Sequence, residues 1–330
     1  MGSSSLPSAP PSPAFLAAFH ERAGHGGVLT FAEFMELALY HPTLGYYRQA
    51  KPRVGYGTGT DFYTASTSGP IFGELIIEAC RTLLHPADPA DFDFVEIGAE
   101  ADAGILRDVA HPFRSARTIR VSAPIELSGP CIVFSNELFD AQPFRRFIHT
   151  QPTWRELAVT LQGDQLVETT LAINAPVPLP LNMPEGYVID APLAASDLLR
   201  HITDQPWHGL FMACDYGKSW QELSSSLPAG TARAYFKHQQ HHQLLARPGE
   251  QDLTCHVCWD WLVAVLAANN FRSPQLESQE SFFVHHASDF IQATSTAEAA
   301  RFSQRKLSLM QLLHPAHLGQ KFQVLHALRN

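Results

Sequence analysis

Residues 92–104, FDFVEIGAEADAG, decide how the rest of this chain is read. Phe92, Phe94, Val95 and Ile97 make a short apolar strand that carries Glu96 near its end, followed by a glycine-bearing turn and the expected start of a helix. A strand–turn–helix unit of this kind holds a nucleotide-like ligand at the carboxyl end of the strand, beside the helix N-terminus. The usual turn has two or three closely spaced glycines. Here Gly98 and Gly104 stand apart, with Glu100 and Asp102 between them. By themselves these residues leave two readings open, a ligand-binding turn or an ordinary buried strand and turn.

Downstream, strands are expected over 119–121 and 132–135, the second running directly into Asn136-Glu137-Leu138-Phe139-Asp140. The stretches 144–149, 154–161 and 165–170 alternate as successive antiparallel strands, with Gly163-Asp164 as a turn. Proline-punctuated chain over 172–184 leads to a strand at 187–189 and a helix over 194–202. An apolar strand over 210–214 ends in Asp215-Tyr216-Gly217, and a loop rich in Gly, His and Gln follows. Helices over 259–268 and 306–313 precede a closing strand over 322–328. Upstream, helices are expected over 15–22, 30–40 and 71–84. Thr30 with Glu33 three residues on has the spacing of a capping box. A glycine- and tyrosine-rich loop over 45–70 joins the last two, and long loops of that composition tend to be functional. Alternating strands and helices make the class α/β with β-rich insertions.

The chain has 330 residues, is 45% apolar and carries a formal charge of −9. That is enough for a large core, and the acidic balance argues against generic nucleic-acid binding, which needs a basic face. No apolar run approaches membrane-spanning length. Five cysteines without a regular framework suit a reducing compartment. The opening MGSSSLPSAPPSP has neither a signal core nor transit arginines, so residues 1–13 read as a disordered tail and the cytoplasm as the location. Beyond the tail, 14–90 reads as an N-terminal helical and loop segment and 91–330 as the main domain, with an insertion lobe at about 144–190 and 218–258.

Polar residues directly after an apolar strand sit where α/β sheets build their sites. Asn136, Glu137 and Asp140 fit that position and would share a face if a helical turn starts there; a plain helix cap is the competing reading. Asp215 closes another strand in the same way. Cys255-His256-Val257-Cys258 has zinc-knuckle spacing but lacks a second pair, so no metal is assigned. His241-His242 and His285-His286 read as surface pairs with diverging side chains.

The blocks FAEFMELALYHPTLGYY (31–47), GTDFYTASTSGPIFGELI (59–76), FVEIGA (94–99), SNELFDAQPFRRF (135–147), CDYG (214–217), GEQDLTCHV (249–257) and LLHPAHLGQKFQVL (312–325) together resemble the MidA-like family. Shorter blocks at 184–192 and 230–239 add to the likeness, which runs in order over 28–328. The family comprises S-adenosylmethionine-dependent methyltransferases and includes a protein arginine methyltransferase that assists complex I assembly in mitochondria. The resemblance implies a class I methyltransferase fold, a Rossmann-like doubly wound sheet with an antiparallel last strand. It aligns Glu96, Gly98, Gly104, Asn136, Thr64 and Gly69 with cofactor binding and Glu137, Asp140 and Asp215 with catalysis. Asp61, Tyr63, Glu250, Gln251, Asp252 and His256 fall with substrate binding. The implied cofactor is S-adenosyl-L-methionine and the implied partner a protein substrate or assembly partner. The oligomeric state is left open, a homodimer included.

Two departures from the family pattern stand out. Glu100 takes a glycine's place in the turn, and Glu100 or Asp102 is expected to cap the helix end that a ligand carboxylate would otherwise occupy. Asn136 also stands only 40 positions after Glu96. Two further strands and their helices need roughly 65 residues at ordinary element lengths. The second strand, whose terminal acid takes ribose hydroxyls, is the expected loss. The alternative to a methyltransferase is thus a cofactor-free relative acting as a protein-binding or assembly module.

Overall fold

The structure is a computed structural model that describes residues 10–49, 51, 53, 60–61, 68–99, 104–173, 177–300 and 303–330. Tyr63, Thr64, Glu100 and Asp102 lie outside the described residues. Ser12 accepts from the Phe15 amide and Pro13 opens α1 (Pro13–Ala23). After β1 (Val28–Thr30), Thr30 and Glu33 form the reciprocal capping box of α2 (Phe31–Tyr40), which buries Phe31, Phe34, Met35 and Ala38. Gly69 and Pro70 start α3 (Pro70–Leu84).

The quoted apolar run becomes β2 (Asp93–Ile97), with β3 (Ser115–Ile119) and β4 (Gly129–Asn136) parallel on either side of it. An antiparallel excursion follows: β5 (Arg145–Thr150), β6 (Thr153–Gln162), β7 (Gln165–Leu171) and β8 (Val188–Ala191). The chain returns through α4 (Leu193–Thr203) to β9 (Trp207–Asp215), parallel to β4. Short pieces come next: β10 (Gly217–Lys218), α5 (Trp220–Ser225), β11 (Arg233–Phe236), β12 (Gln239–His241), β13 (Asp252–Thr254) and β14 (Val257–Cys258). Then α6 (Trp259–Ala268), β15 (Arg272–Ser278), α7 (Gln279–His286), α8 (Ser288–Ala297), α9 (Gln304–Leu313) and β16 (Gln323–Arg329) complete the chain.

The central sheet has the order β15-β16-β9-β4-β2-β3, with β16 antiparallel to both neighbours. Pleat alternation sends Phe94, Ile132, Phe134, Leu210, Met212 and Val324 to one face, packed with α3, α7 and α9. Val95, Val133, Phe211 and Leu325 go to the other, packed with α4 and α6. This is a three-layer doubly wound domain. No helix among the described residues is long and apolar enough to cross a membrane.

A second sheet, β1-β6-β5-β8 with β7 on β6, joins the N-terminal segment to the 144–190 insertion. Phe15, Phe34 and Tyr46 share one core with Phe144, Val159 and Leu253, so the expected division at residue 90 cuts through a packed unit.

The shortened half differs from expectation in three ways. The retained strand is 115–119 rather than 119–121, because Arg117 and Thr118 extend along β2 while Val121 leaves it. It lies directly beside β2, the place of the second strand in a 3-2-1-4-5-6 order, so among the described residues it is the outer third strand that has no counterpart. Finally, residues 105–108 form turns, and no helix among the described residues links β2 to β3.

Candidate active site

Asp215 ends β9 fully buried, at 0% exposure. Its Oδ2 accepts the amides of Phe139 at 2.9 Å and Asp140 at 3.3 Å, and its Oδ1 accepts the Tyr216 amide at 2.9 Å. One carboxylate thereby pulls the chain after β4 onto the end of β9. The Glu137 amide donates to the Cys214 carbonyl at 2.9 Å, and Glu137 itself sits at a left-handed φ of 51°. The helical turn expected over 136–140 is therefore an irregular turn, closed by a remote strand rather than by its own helix. Glu137 and Asp140 nevertheless reach one cleft.

That cleft has a volume of about 880 Å³. Tyr47, Tyr216, Tyr235, Asp252 and Thr254 line it with the two carboxylates, and Asp61 and His256 also contribute. The wall carrying Asp252 is fixed by long-range bonds: the Cys255 amide donates to the Asp140 carbonyl at 3.0 Å, and the Tyr47 hydroxyl to Asp252 Oδ1 at 2.8 Å. The Tyr216 hydroxyl donates to Thr254 Oγ1 at 2.7 Å, and the Tyr40 hydroxyl to the Ala141 carbonyl at 2.8 Å. Gly249 permits this docking; at φ 81° an added Cβ would lie 2.4 Å from the Leu44 carbonyl oxygen.

Burial dominates the electrostatics. It lifts the Asp140 carboxyl well above the usual range, with the Asp215 charge adding to the effect. Asp215 is pushed up to about 7, again mainly by burial. Asp140 Oδ1 is buried with no hydrogen-bond partner among the described residues. His256 is pushed down to about 4 by burial, then by Lys218 and Arg233, so its ring is neutral near pH 7.

Other expected site residues serve the frame. Asp61 accepts from the Tyr46 hydroxyl at 2.8 Å, Lys51 Nζ at 3.2 Å and the Lys237 amide at 3.0 Å. Gln251 donates to the carbonyls of Gln243 and Leu244, both at 3.1 Å, away from the cleft lining. Glu250 is exposed beside Arg247. Thr254 belongs to the GEQDLT block that carries the family resemblance, whereas Tyr47, Tyr216 and Tyr235 are not assigned to the site from the sequence; Tyr216, directly after Asp215, was the available signal.

On the other side of β4, Gly98 takes a left-handed φ of 87°, and a Cβ there would lie 2.8 Å from Leu138 Cδ1. Asn136 stands one residue beyond the Ile97–Ser135 pair, its Oδ1 buried with no hydrogen-bond partner among the described residues. Glu96 Oε2 accepts the Ile105 amide at 2.8 Å, and burial pushes its carboxyl up to about 7. Glu96 and Gly104 line a smaller hollow of about 380 Å³, together with Arg107, Thr118 and Arg120. Arg120 follows the end of β3, where a dinucleotide-type site carries an acid. Gly69 caps α3 and lines neither cavity.

Residues 106–276 match the family model described as "Putative S-adenosyl-L-methionine-dependent methyltransferase". Among curated proteins, the chain is similar to the mitochondrial protein arginine methyltransferase NDUFAF7 of Danio rerio, 23% identical over 90% of this chain and 82% of the relative. Among solved structures, a Burkholderia thailandensis protein bound to S-adenosyl-homocysteine superposes with a TM-score of 0.82 at 22% identity, covering 98% of this chain and 95% of that one. A native crystal structure of an uncharacterised protein from the same organism gives 0.78 at 21% identity with the same coverage. Both share the fold.

Proposed function

The chain belongs to this family of S-adenosyl-L-methionine-dependent methyltransferases, and on that premise we propose that it methylates an arginine of a protein partner. The observation that carries the proposal is the convergence of Glu137, Asp140 and Asp252 in one tyrosine-walled cleft at the carboxyl ends of β4 and β9. A guanidinium is charged at all ordinary pH and pairs with carboxylates in a fixed fork geometry. Glu137 and Asp252 hold it in this reading, and the tyrosine rings offer faces for a planar cation. The nitrogen that accepts a methyl group must release a proton. Asp140, its carboxyl raised by burial and its Oδ1 without a partner among the described residues, is the group suited to take it. Asp215 positions the turn on which both acids stand.

The residues present fit the cofactor at its amino-acid end. The orphaned Asn136 Oδ1 is an acceptor for an ammonium, and Gly98 holds the left-handed turn at the end of the neighbouring strand, packed on Leu138. Glu96, Gly98 and Asn136 would hold it, and when bound it supplies a sulfonium-activated methyl group. Holding the acceptor nitrogen in line with that group lowers the barrier by orientation.

The test has two parts. Titration with S-adenosyl-homocysteine is expected to give saturable binding and stabilisation, about 2.7 kcal/mol at a hundred times the dissociation constant. Labelled cofactor with a cell extract is expected to mark arginines of a protein. Methylation confined to lysine or to a small molecule would overturn the arginine reading. A second reading, a cofactor-free assembly module, draws on Arg120 in place of an acid and on the turns at 105–108, with no helix among the described residues after β2 and before β3. No binding in the titration would favour it.

A further inference from the structure

We propose that Glu277, His286 and His326 form a binding site for a divalent transition-metal ion of the zinc type, on the sheet face covered by α7. The sequence places these residues far apart, and His285-His286 was expected to diverge at the surface. Instead, Nε2 of His286 and Nε2 of His326 each lie 3.0 Å from Glu277 Oε1. One ligand atom from each of the three residues falls within 4.8 Å of the others. Two ligands about 2.0–2.1 Å from a tetrahedral zinc ion are about 3.3 Å apart, so the two contacts to Glu277 need to open by about 0.3 Å and a pair at the outer limit to close by about 1.5 Å, which imidazole rotation supplies.

Three elements build the cluster. The β15–β16 register pairs Glu277 with Val324, and His326 follows two residues on, so both point to the face beneath α3, α7 and α9. The last turn of α7 brings His286 over them. The Phe282 ring lies 5.0 Å from the His286 ring and 5.3 Å from the His326 ring, giving the site an apolar side. Side-chain exposures of 7% for His326, 18% for His286 and 17% for Glu277 keep the cluster partly open to solvent, as ion entry and a water in the fourth position require.

The donor set selects the ion class. Two imidazole nitrogens and one carboxylate oxygen suit zinc and its neighbours, whereas calcium and magnesium take oxygen ligands. His285 Nδ1, 2.5 Å from Glu277 Oε2, holds the second carboxylate oxygen and leaves Oε1 facing the two rings. Such outer hydrogen bonds orient first ligands. The ion would pin α7 to the strand pair that carries Leu276 and Gln323 of the cleft wall.

The test uses the full-length protein, free of affinity-tag histidines, stripped with a chelator and titrated with Zn²⁺ alone by calorimetry. One equivalent is expected to bind reversibly. His286→Ala and His326→Ala should each weaken it at least about tenfold, and His285→Ala about tenfold or less. The double variant His241→Ala, His242→Ala should leave it intact. Because a ligand variant can fail to fold, ring-proton spectra of the unmodified protein provide a second reading. Selective shifts of His286 and His326 on adding Zn²⁺ support the site. Absence of saturable binding, binding that survives His326→Ala, or shifts confined to other histidines would overturn it.

Discussion

At the carboxyl ends of β4 and β9, side chains from five separate stretches are locked together, whereas at the β3 edge the sheet ends in a nearly bare strand. On the first side β9 is buried at all but one position, and Asp215, Asp252 and the Asp140 carbonyl each receive hydrogen bonds from distant chain. On the second, Ser115 to Thr118 are exposed, the described residues between β2 and β3 form turns and no helix, and Arg120 stands where an acid is expected. The comparison shows where the architecture is invested. The acidic cleft is held by the tertiary structure and tolerates little change, while the cofactor side is held by β2 and a few local bonds.

The largest break in this comparison should come from Asp215→Ala, which leaves the amides of Phe139, Asp140 and Tyr216 without their acceptor. Unsatisfied buried donors cost about 1–3 kcal/mol each, so a loss of about 4 kcal/mol is expected in denaturant unfolding. Unchanged stability would mean that the turn holds without its tether.

On the cofactor side, Glu96 supplies a pH test. Its folded carboxyl titrates near 7 against an ordinary value of 4.5. The native state keeps a proton that the unfolded chain has lost, so stability is full below about pH 4.5 and declines as pH rises through about 7. Glu96→Gln should flatten that decline by up to about 3 kcal/mol, read as melting temperature against pH.

Glu137→Gln sharpens the functional contrast. Transfer should fall about 100-fold, with S-adenosyl-homocysteine affinity changed less than about threefold, because the acid faces the acceptor. Full activity would remove Glu137 from the chemistry. The smallest effect is expected from Arg120→Asp, which restores a strand-end acid and should tighten S-adenosyl-homocysteine about tenfold. No gain would show that the ribose is held elsewhere.

Several of these features were legible in the chain and others were not. The α2 capping box, the α3 and α6 helices, the closing strand and the alternation of β5 to β7 follow from patterns a few residues long, which local backbone and burial preferences impose, while the antiparallel sense of that last strand followed from the family resemblance. Glu137 and Asp140 were visible as polar residues after an apolar strand. The α7 and α8 helices were not anticipated, and α7 lacks a clear amphipathic stripe because Phe282, Phe283, His285 and His286 all have neighbours. The left-handed Glu137, set by an amide bond to Cys214 in another strand, has no local signal at all.

Sequence alone determined the class, the order of the main strands and the presence of acids at strand ends, because period-two and period-3.6 burial patterns and blocks of similar residues are written along the chain. Only the tertiary structure decided which strand has no counterpart among the described residues, that Asp215 shapes the turn rather than facing the cleft, and that three residues from β15, α7 and β16 meet at one point. Those outcomes depend on contacts between positions dozens to hundreds of residues apart. Strand register and helix packing set such contacts, and neither is encoded in any single stretch.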